Sequence, residues 1–326
     1  MTVSMPLNSP LNAPQLSIIV PVYNEEPGLP ALFSRLYPAL DALAEKRQLQ
    51  YEIIFINDGS VDNSFKILKK LAMECDEVKY IDFSRNFGHQ VAVSAGIDHC
   101  QGNAVVIIDA DLQDPPEIIP VLYDKLKEGY QVVYARRKSR SGEGFLKKFT
   151  AKLFYRFLAK ITSVKIPLDT GDFRIMDRRI VSVLKQMPEQ QKFLRAQIAW
   201  AGFKQTYVEF DRDQRNAGET GYTYRKMIRF ALDGITGFSN LPLKFATVAG
   251  FIVSGITFLI SLYALYARFV SKDFVPGWTS LILAVLFIGG VQLISIGIIG
   301  EYISRLSTNV RSRPLYIVSE SNIISN

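Results

Sequence analysis

Two carboxylates one residue apart, Asp109 and Asp111, are the side chains in this sequence best placed to do chemistry. They close the run Ala104-Val105-Val106-Ile107-Ile108 and lead into Leu112-Gln113-Asp114-Pro115-Pro116-Glu117. Acids at this spacing can share one hard cation, and Mg²⁺ is commonly held by one or two carboxylates together with substrate phosphates. Asp-x-Asp also occurs as a solvated acidic turn, so the pair alone leaves both readings open. Three further groups are candidates to join it: Tyr23-Asn24-Glu25, Asp58 within Asn57-Asp58-Gly59-Ser60, and Arg136. Asn-Asp-Gly-Ser is itself good turn and cap chemistry.

Placing these groups together requires a particular scaffold. Leu16–Val20, Tyr51–Ile56, Val78–Phe83, Ala104–Ile108 and Gln131–Ala135 read as strands, being short apolar runs rich in β-branched residues. Helical patterns alternate with them: from after Glu26 to about Glu45, from an N-cap at Ser60 through Lys70, over Gly88–Cys100, and over Pro116–Glu128. This alternation predicts a parallel, doubly wound sheet with helices on both faces. Such sheets bind ligands at the carboxyl ends of their strands, where Tyr23, Glu25, Asp58, Asp109, Asp111 and Arg136 all fall. No Gly-x-Gly-x-x-Gly and no Gly-x-x-x-x-Gly-Lys follows the first strand, which disfavours a dinucleotide or P-loop cradle.

The remainder of the chain reads as membrane-attached. Of 326 residues, 48% are hydrophobic, and the mean hydropathy is +0.11. Phe245–Ala267 and Thr279–Gly300 contain no charged residue, and each is long enough to span a bilayer as a helix. The net charge of +7 lies outside these runs, at Arg136–Lys160, at Arg225, Lys226, Arg229 and Lys244, and at Arg305, Arg311 and Arg313. The positive-inside rule then places both termini and the N-terminal region in the cytoplasm, at the inner (plasma) membrane. Basic charge beside membrane spans points to anionic lipid head groups or phosphorylated substrates rather than nucleic acid. Cys75 and Cys100 suggest packing residues, not a disulfide framework or a zinc site. No signal peptide is visible in residues 1–15, which read as a flexible tail.

Residues 145–161 place Phe145, Phe149, Leu153 and Phe157 on one stripe and Lys148, Lys152, Arg156 and Lys160 on another, as expected of an interfacial helix, though an ordinary surface helix has the same pattern. Residues 222–242 repeat the type. Asp169–Arg174 and Arg215–Gly221 read as turns or mobile loops. The expected organisation is a tail (1–15), a catalytic region (16–221), an amphipathic helix (222–242), two spans (about 245–269 and 279–302, within 243–304) and a cytoplasmic tail (305–326). Small residues at Ala246, Gly250 and Ser254, and at Gly289, Gly290, Gly297 and Gly300, allow close helix packing and hence a homo-oligomer.

Pro21-Val22-Tyr23-Asn24-Glu25-Glu26, Asn57–Ser60, Ser84-Arg85-Asn86-Phe87-Gly88, Asp109–Glu117 and Gly171-Asp172-Phe173-Arg174 occur in that order. Together they resemble the inverting family 2 glycosyltransferases of GT-A fold that move a sugar onto polyprenyl phosphate. The nearest likeness is to bacterial glucosyl transferases of the GtrB type with two C-terminal spans; dolichyl-phosphate mannosyltransferases are more distant. The resemblance, over about Leu16–Ser312, implies a GT-A Rossmann-like, mostly parallel sheet. It implies that Pro21, Tyr23, Glu25 and Asp58 hold the nucleotide, with Ala110 beside it. Asp109, Asp111 and Gln113 would bind Mg²⁺ or Mn²⁺ and the donor diphosphate. Arg136 and Arg215 would contact phosphate, and Arg137, Arg140, Lys147 and Lys148 are candidates for the acceptor phosphate. The loop after Arg215 departs from the family pattern, since Gly221 stands where a lysine is often found. No dedicated base is needed, because a phosphate monoester with a second pKa of about 6 is already largely anionic; in-line attack would invert the anomeric centre. The implied reaction is glucosyl transfer from UDP-glucose to undecaprenyl phosphate, and the implied homo-oligomer is a tetramer. Alternatives are GDP-mannose or another UDP-sugar as donor, or a catalytically silent sugar-nucleotide-binding scaffold.

Overall fold

The computed structural model describes residues 14–138, 170–210, 241–266 and 277–323. The chain divides into two compact units, one carrying a β-sheet and the other two long helices.

The first unit is built on an eight-stranded sheet. In chain order its elements are β1 (Leu16–Val22), α1 (Leu29–Arg47), β2 (Tyr51–Asn57), α2 (Ser64–Glu74), β3 (Val78–Phe83), α3 (His89–His99), β4 (Ala104–Ile107), a 3₁₀ turn (Pro116–Ile118), α4 (Ile119–Lys127) and β5 (Val132–Arg137). They are followed by β6 (Thr170–Asp177), α5 (Arg178–Gln186), α6 (Leu194–Ala201), β7 (Gln205–Phe210) and, at the C-terminus, β8 (Val318–Ser321). The order across the sheet is β7-β5-β6-β4-β1-β2-β3-β8. Every residue of β1 and β2 is buried, as expected of parallel strands covered on both faces. Alternate side chains feed two cores. Ile18, Val20 and Phe55 pack with α1, α2 and α4, whereas Ile19, Ile54 and Ile56 pack with α3, α5 and α6. Gly96 allows α3 to approach so closely that an added Cβ would lie 2.4 Å from Ile19 Cγ2.

The sheet is mixed rather than wholly parallel. β6, whose first residues read from the sequence as a turn or loop, is a full strand running antiparallel to both β4 and β5. β8 pairs antiparallel with β3 and caps that edge. The start of α2 also differs from expectation. Ser60 does not cap it; the helix begins at Ser64, whose N–H is taken by Asp62 Oδ1 at 3.0 Å, while Ser60 Oγ accepts from the Asn24 N–H.

The second unit contains α7 (Leu241–Tyr266) and α8 (Trp278–Arg311), which pack against each other. At 1.5 Å per residue both exceed the roughly 30 Å hydrocarbon core of a bilayer. Leu243–Ile260 and Phe287–Arg311 are apolar enough to cross it. Phe251, Phe258 and Leu259 on α7 and Leu293 and Ile294 on α8 are exposed, as lipid-facing residues would be. A Cβ at Gly250, Gly289, Gly290, Gly297 or Gly300 would meet no described atom within 4 Å. α8 runs past the expected end of the span at 302, and the tail beyond it folds as β8.

Candidate functional site

A cleft of about 320 Å³ opens at the carboxyl ends of β1, β2 and β4, where Pro21, Tyr23, Glu25, Asp58, Asn86, Gly88, His89, Asp109, Ala110 and Asp111 line it. Its walls are tied by side-chain-to-backbone hydrogen bonds. Asn24 adopts a left-handed conformation (φ 54°), and its Oδ1 accepts from the Val61 N–H at 2.9 Å. Asp58 is buried and accepts from the N–H groups of Phe87 (2.7 Å) and Gly88 (3.0 Å). Gly59 (φ +65°) lies so close to this segment that a Cβ there would stand 2.4 Å from the Arg85 carbonyl carbon. Tyr23, 47% exposed, lines the rim of the cleft.

The acids sit on the cleft floor. β4 ends at Ile107, and Ile108 still donates to the Ile19 carbonyl before the chain turns. Asp111 Oδ1 accepts from the Gln113 N–H at 3.1 Å, and Leu112 between them is left-handed (φ 57°), a strained choice for an apolar residue. Asp109 Oδ1 is buried and receives no hydrogen bond among the described residues; His89 Nε2 stands 3.6 Å away. The Asp109 side chain is nonetheless 32% exposed, so its accessible surface faces the cleft. Burial, followed by the neighbouring Asp172, Asp114 and Asp111 carboxylates, pushes Asp109 up to about 7 against the pull of His89. A carboxylate held under this strain suits a hard cation. Among the described residues no three His, Cys, Asp or Glu side chains converge to hold a metal unaided, so substrate oxygens would have to complete the coordination.

Behind the floor lies a second charged group. The register of β4 with β6 pairs Ile107 with Arg174; continued two residues further, it brings Asp172 opposite Asp109. Asp172 Oδ2 lies 3.3 Å from His89 Nε2, and its Oδ1 accepts from Arg174 Nη2 (2.7 Å) and Arg195 Nε (3.0 Å). Burial alone would raise the Asp172 carboxyl, but the His89 hydrogen bond and the two guanidinium groups hold it well below the usual range. Arg174 is only 1% exposed; it also donates to the Asp172 and Gly171 carbonyls and lies over the Tyr134 ring.

Pro21, Tyr23, Glu25, Asp58, Asp109, Ala110 and Asp111 therefore share one cleft. Gln113 does not line it; its side chain is buried and its backbone N–H supports Asp111. Arg136 is also absent from the lining, being paired with Glu209 and stacked on Tyr207, while Arg137 lies 3.6 Å from Asp114. Arg140, Lys147, Lys148 and Arg215, the helix at 145–161 and the loop at 215–221 lie outside the described residues, as does 222–240 of the second amphipathic stretch. Sequence reasoning assigned no role to His89, Asp172, Arg174 or Arg195. The segments Ser84–Gly88 and Gly171–Arg174 were visible as motifs, but nothing local indicated that they meet.

The chain belongs to glycosyltransferase family 2: the profile "Glycosyl transferase family 2" matches residues 17–184, and "GtrB C-terminal hairpin" matches residues 241–306. It is 50% identical over 312 residues to the uncharacterized glycosyltransferase YkcC of Bacillus subtilis, covering 96% of this chain and 95% of that protein. It is 41% identical to the SfII prophage-derived bactoprenol glucosyl transferase of Shigella flexneri, over 94% of this chain and 98% of that one. Among solved structures, glucosyl-3-phosphoglycerate synthase from Mycobacterium tuberculosis with Mn²⁺, UDP and phosphoglyceric acid matches at 18% identity and a TM-score of 0.46. That match covers 68% of this chain and 76% of the other. The chain is thus a membrane-associated family 2 enzyme with a GtrB-type hairpin and a mostly parallel mixed sheet.

Proposed function

We propose that this enzyme transfers a hexose, glucose from UDP-glucose, onto polyprenyl phosphate at the cytoplasmic face of the plasma membrane. The carrying observation is an acid-floored cleft at the carboxyl rim of the sheet in a chain that also bears the GtrB-type hairpin. The full-length likeness to a bactoprenol glucosyl transferase supports the acceptor and the sugar. Tyr23, Pro21, Glu25 and Asp58 form the nucleotide end of the cleft. Asp109 and Asp111 hold a divalent cation, Mg²⁺ or Mn²⁺, which when bound neutralises charge on the leaving diphosphate. Gln113 serves by orienting Asp111 through its N–H. Arg136 and Arg215 are assigned to donor phosphate, and Arg137, Arg140, Lys147 and Lys148 to the acceptor phosphate, by charge and chain position. Arg136 must exchange Glu209 for phosphate to act. Asp172, held ionised by Arg174 and Arg195, fixes His89 beside Asp109. The acceptor brings its own negative charge, so the protein orients rather than deprotonates it.

The same proposal places the catalytic region at 16–221, interfacial helices at about 145–161 and 222–242, and the spans within 243–304. Both termini are cytoplasmic, and homo-oligomers form through the glycine faces of the spans. Cross-linking in membranes reads out the last point. The reaction is tested by incubating membranes with undecaprenyl phosphate and radiolabelled UDP-glucose, other UDP-sugars or GDP-mannose. Label should enter the organic phase from UDP-glucose. Lipid-soluble label from GDP-mannose alone would reassign the donor, and none from any donor would refute transfer. Asp109→Ala should abolish transfer while the protein stays folded; full activity would remove the metal assignment.

A further inference from the structure

The wall of the cleft formed by residues 84–89 is supported from behind by the C-terminal tail. The segment after β3 brings Asn86, Gly88 and His89 into the lining, and on the cleft side Asp58 holds its Phe87 and Gly88 N–H groups. On the opposite side, Ser84 donates its N–H to the Ile317 carbonyl at 3.0 Å. The Tyr316 ring stacks on Phe83 with centroids 5.1 Å apart and planes 18° from parallel. Phe83 in turn meets Phe87 edge-on at 5.6 Å. The Tyr316 hydroxyl donates to Asp98 Oδ2 at 3.2 Å, a contact separate from the stack of its ring on Phe83. Further along, the tail is fastened separately: Glu320 receives Lys69 Nζ (2.7 Å) and the Tyr80 hydroxyl (2.8 Å), away from the cleft wall.

We infer that Tyr316 is a positioning residue for the cleft: its ring backs Phe83 and Phe87 and so fixes the Phe87–His89 backbone against which the nucleotide lies. The inference rests on the donor-pocket reading above. An edge strand that served only to cap the sheet would need the β3–β8 pairing and the Glu320 contacts but not an aromatic stack leading towards the cleft. Tyr316 follows the last residue of α8, Arg311, by only five positions, so the segment leaving the hairpin supplies this support.

The test uses the full-length protein in detergent and four variants: Tyr316→Ala, Tyr316→Leu, Tyr316→Phe and Glu320→Ala. UDP affinity is measured by calorimetry with Mn²⁺ present, and hydrogen–deuterium exchange is followed in the peptide spanning 84–89. Loss of an aromatic stack of this size should weaken UDP binding by roughly three- to tenfold and speed exchange at Phe87 and Gly88. Tyr316→Leu substitutes for the alanine variant if the latter does not fold, and Tyr316→Phe should retain wild-type behaviour in both assays. Glu320→Ala should lower the melting temperature while leaving both readouts unchanged. Wild-type affinity and exchange in Tyr316→Ala or Tyr316→Leu would overturn the inference. So would a Glu320→Ala variant that reproduces both changes, because the tail would then act only as a whole. If the wild-type protein binds no UDP, the donor reading fails and the exchange data alone decide the role of Tyr316.

Discussion

Replacing Asp109 by Asn should stabilise the protein while silencing it, and the gain should depend on pH. In the folded protein this carboxyl keeps its proton up to about 7, because burial and three neighbouring carboxylates oppose its charge. In the unfolded chain it ionises near its ordinary value of 3.8. Between those values the native state binds more protons, so stability is lost as pH rises through the window and the full penalty applies above it. The upper bound is about 4 kcal/mol. With 32% of the side chain open to cleft water, screening leaves about 1–2 kcal/mol. For a domain of this size that corresponds to roughly 2–8 °C in Tm. Thermal unfolding in detergent with chelator should therefore show Asp109→Asn melting above wild type at pH 8, with most of the difference gone by pH 4.5. Adding Mn²⁺ should raise the wild-type Tm by ligand linkage and leave the variant nearly unmoved. A variant that melts lower than wild type at pH 8, or that gains equally at both pH values, would refute the picture of a carboxylate strained for a cation.

Gly59→Ala should cost about 2 kcal/mol or more and weaken donor binding, because a Cβ at φ +65° would press on Arg85 and Asn86 in the cleft wall; calorimetry with UDP checks this alongside Tm. Asp172→Asn should destabilise by about 3 kcal/mol at pH 7, since it leaves the buried Arg174 guanidinium without its carboxylate. The wild-type carboxyl is held well below the ordinary range, so its contribution is present above pH 3.8 and is lost only as pH falls through the depressed folded value. Melting curves from pH 7 downward should therefore bring the two proteins together only in strong acid. Arg35→Ala, which breaks an exposed pair with Glu117, should change stability by no more than about 0.5 kcal/mol in denaturant titrations.

Much of this protein was legible locally. Leu16–Val22 and Tyr51–Asn57 announce themselves because strands buried on both faces need continuous apolar runs, and such runs ending in acids point to a rim that binds ligands. The two long helices were equally plain, since a charge-free stretch of that length has few other uses. The second charged layer depended on tertiary structure. Thr170–Asp177 enters the sheet between β4 and β5, and the pairing register, set across more than sixty residues, brings Asp172 to Asp109 and His89 between them. β8 was hidden for a related reason: Val-Ser-Glu-Ser is exposed and has no apolar pattern, so its strand character comes from the β3 edge it joins. Asp109 and Asp111 were therefore recognisable as candidate cation ligands from their own neighbourhood. The strain on Asp109 arises only when distant acids fold against it, because electrostatic energy depends on separation in space and not along the chain.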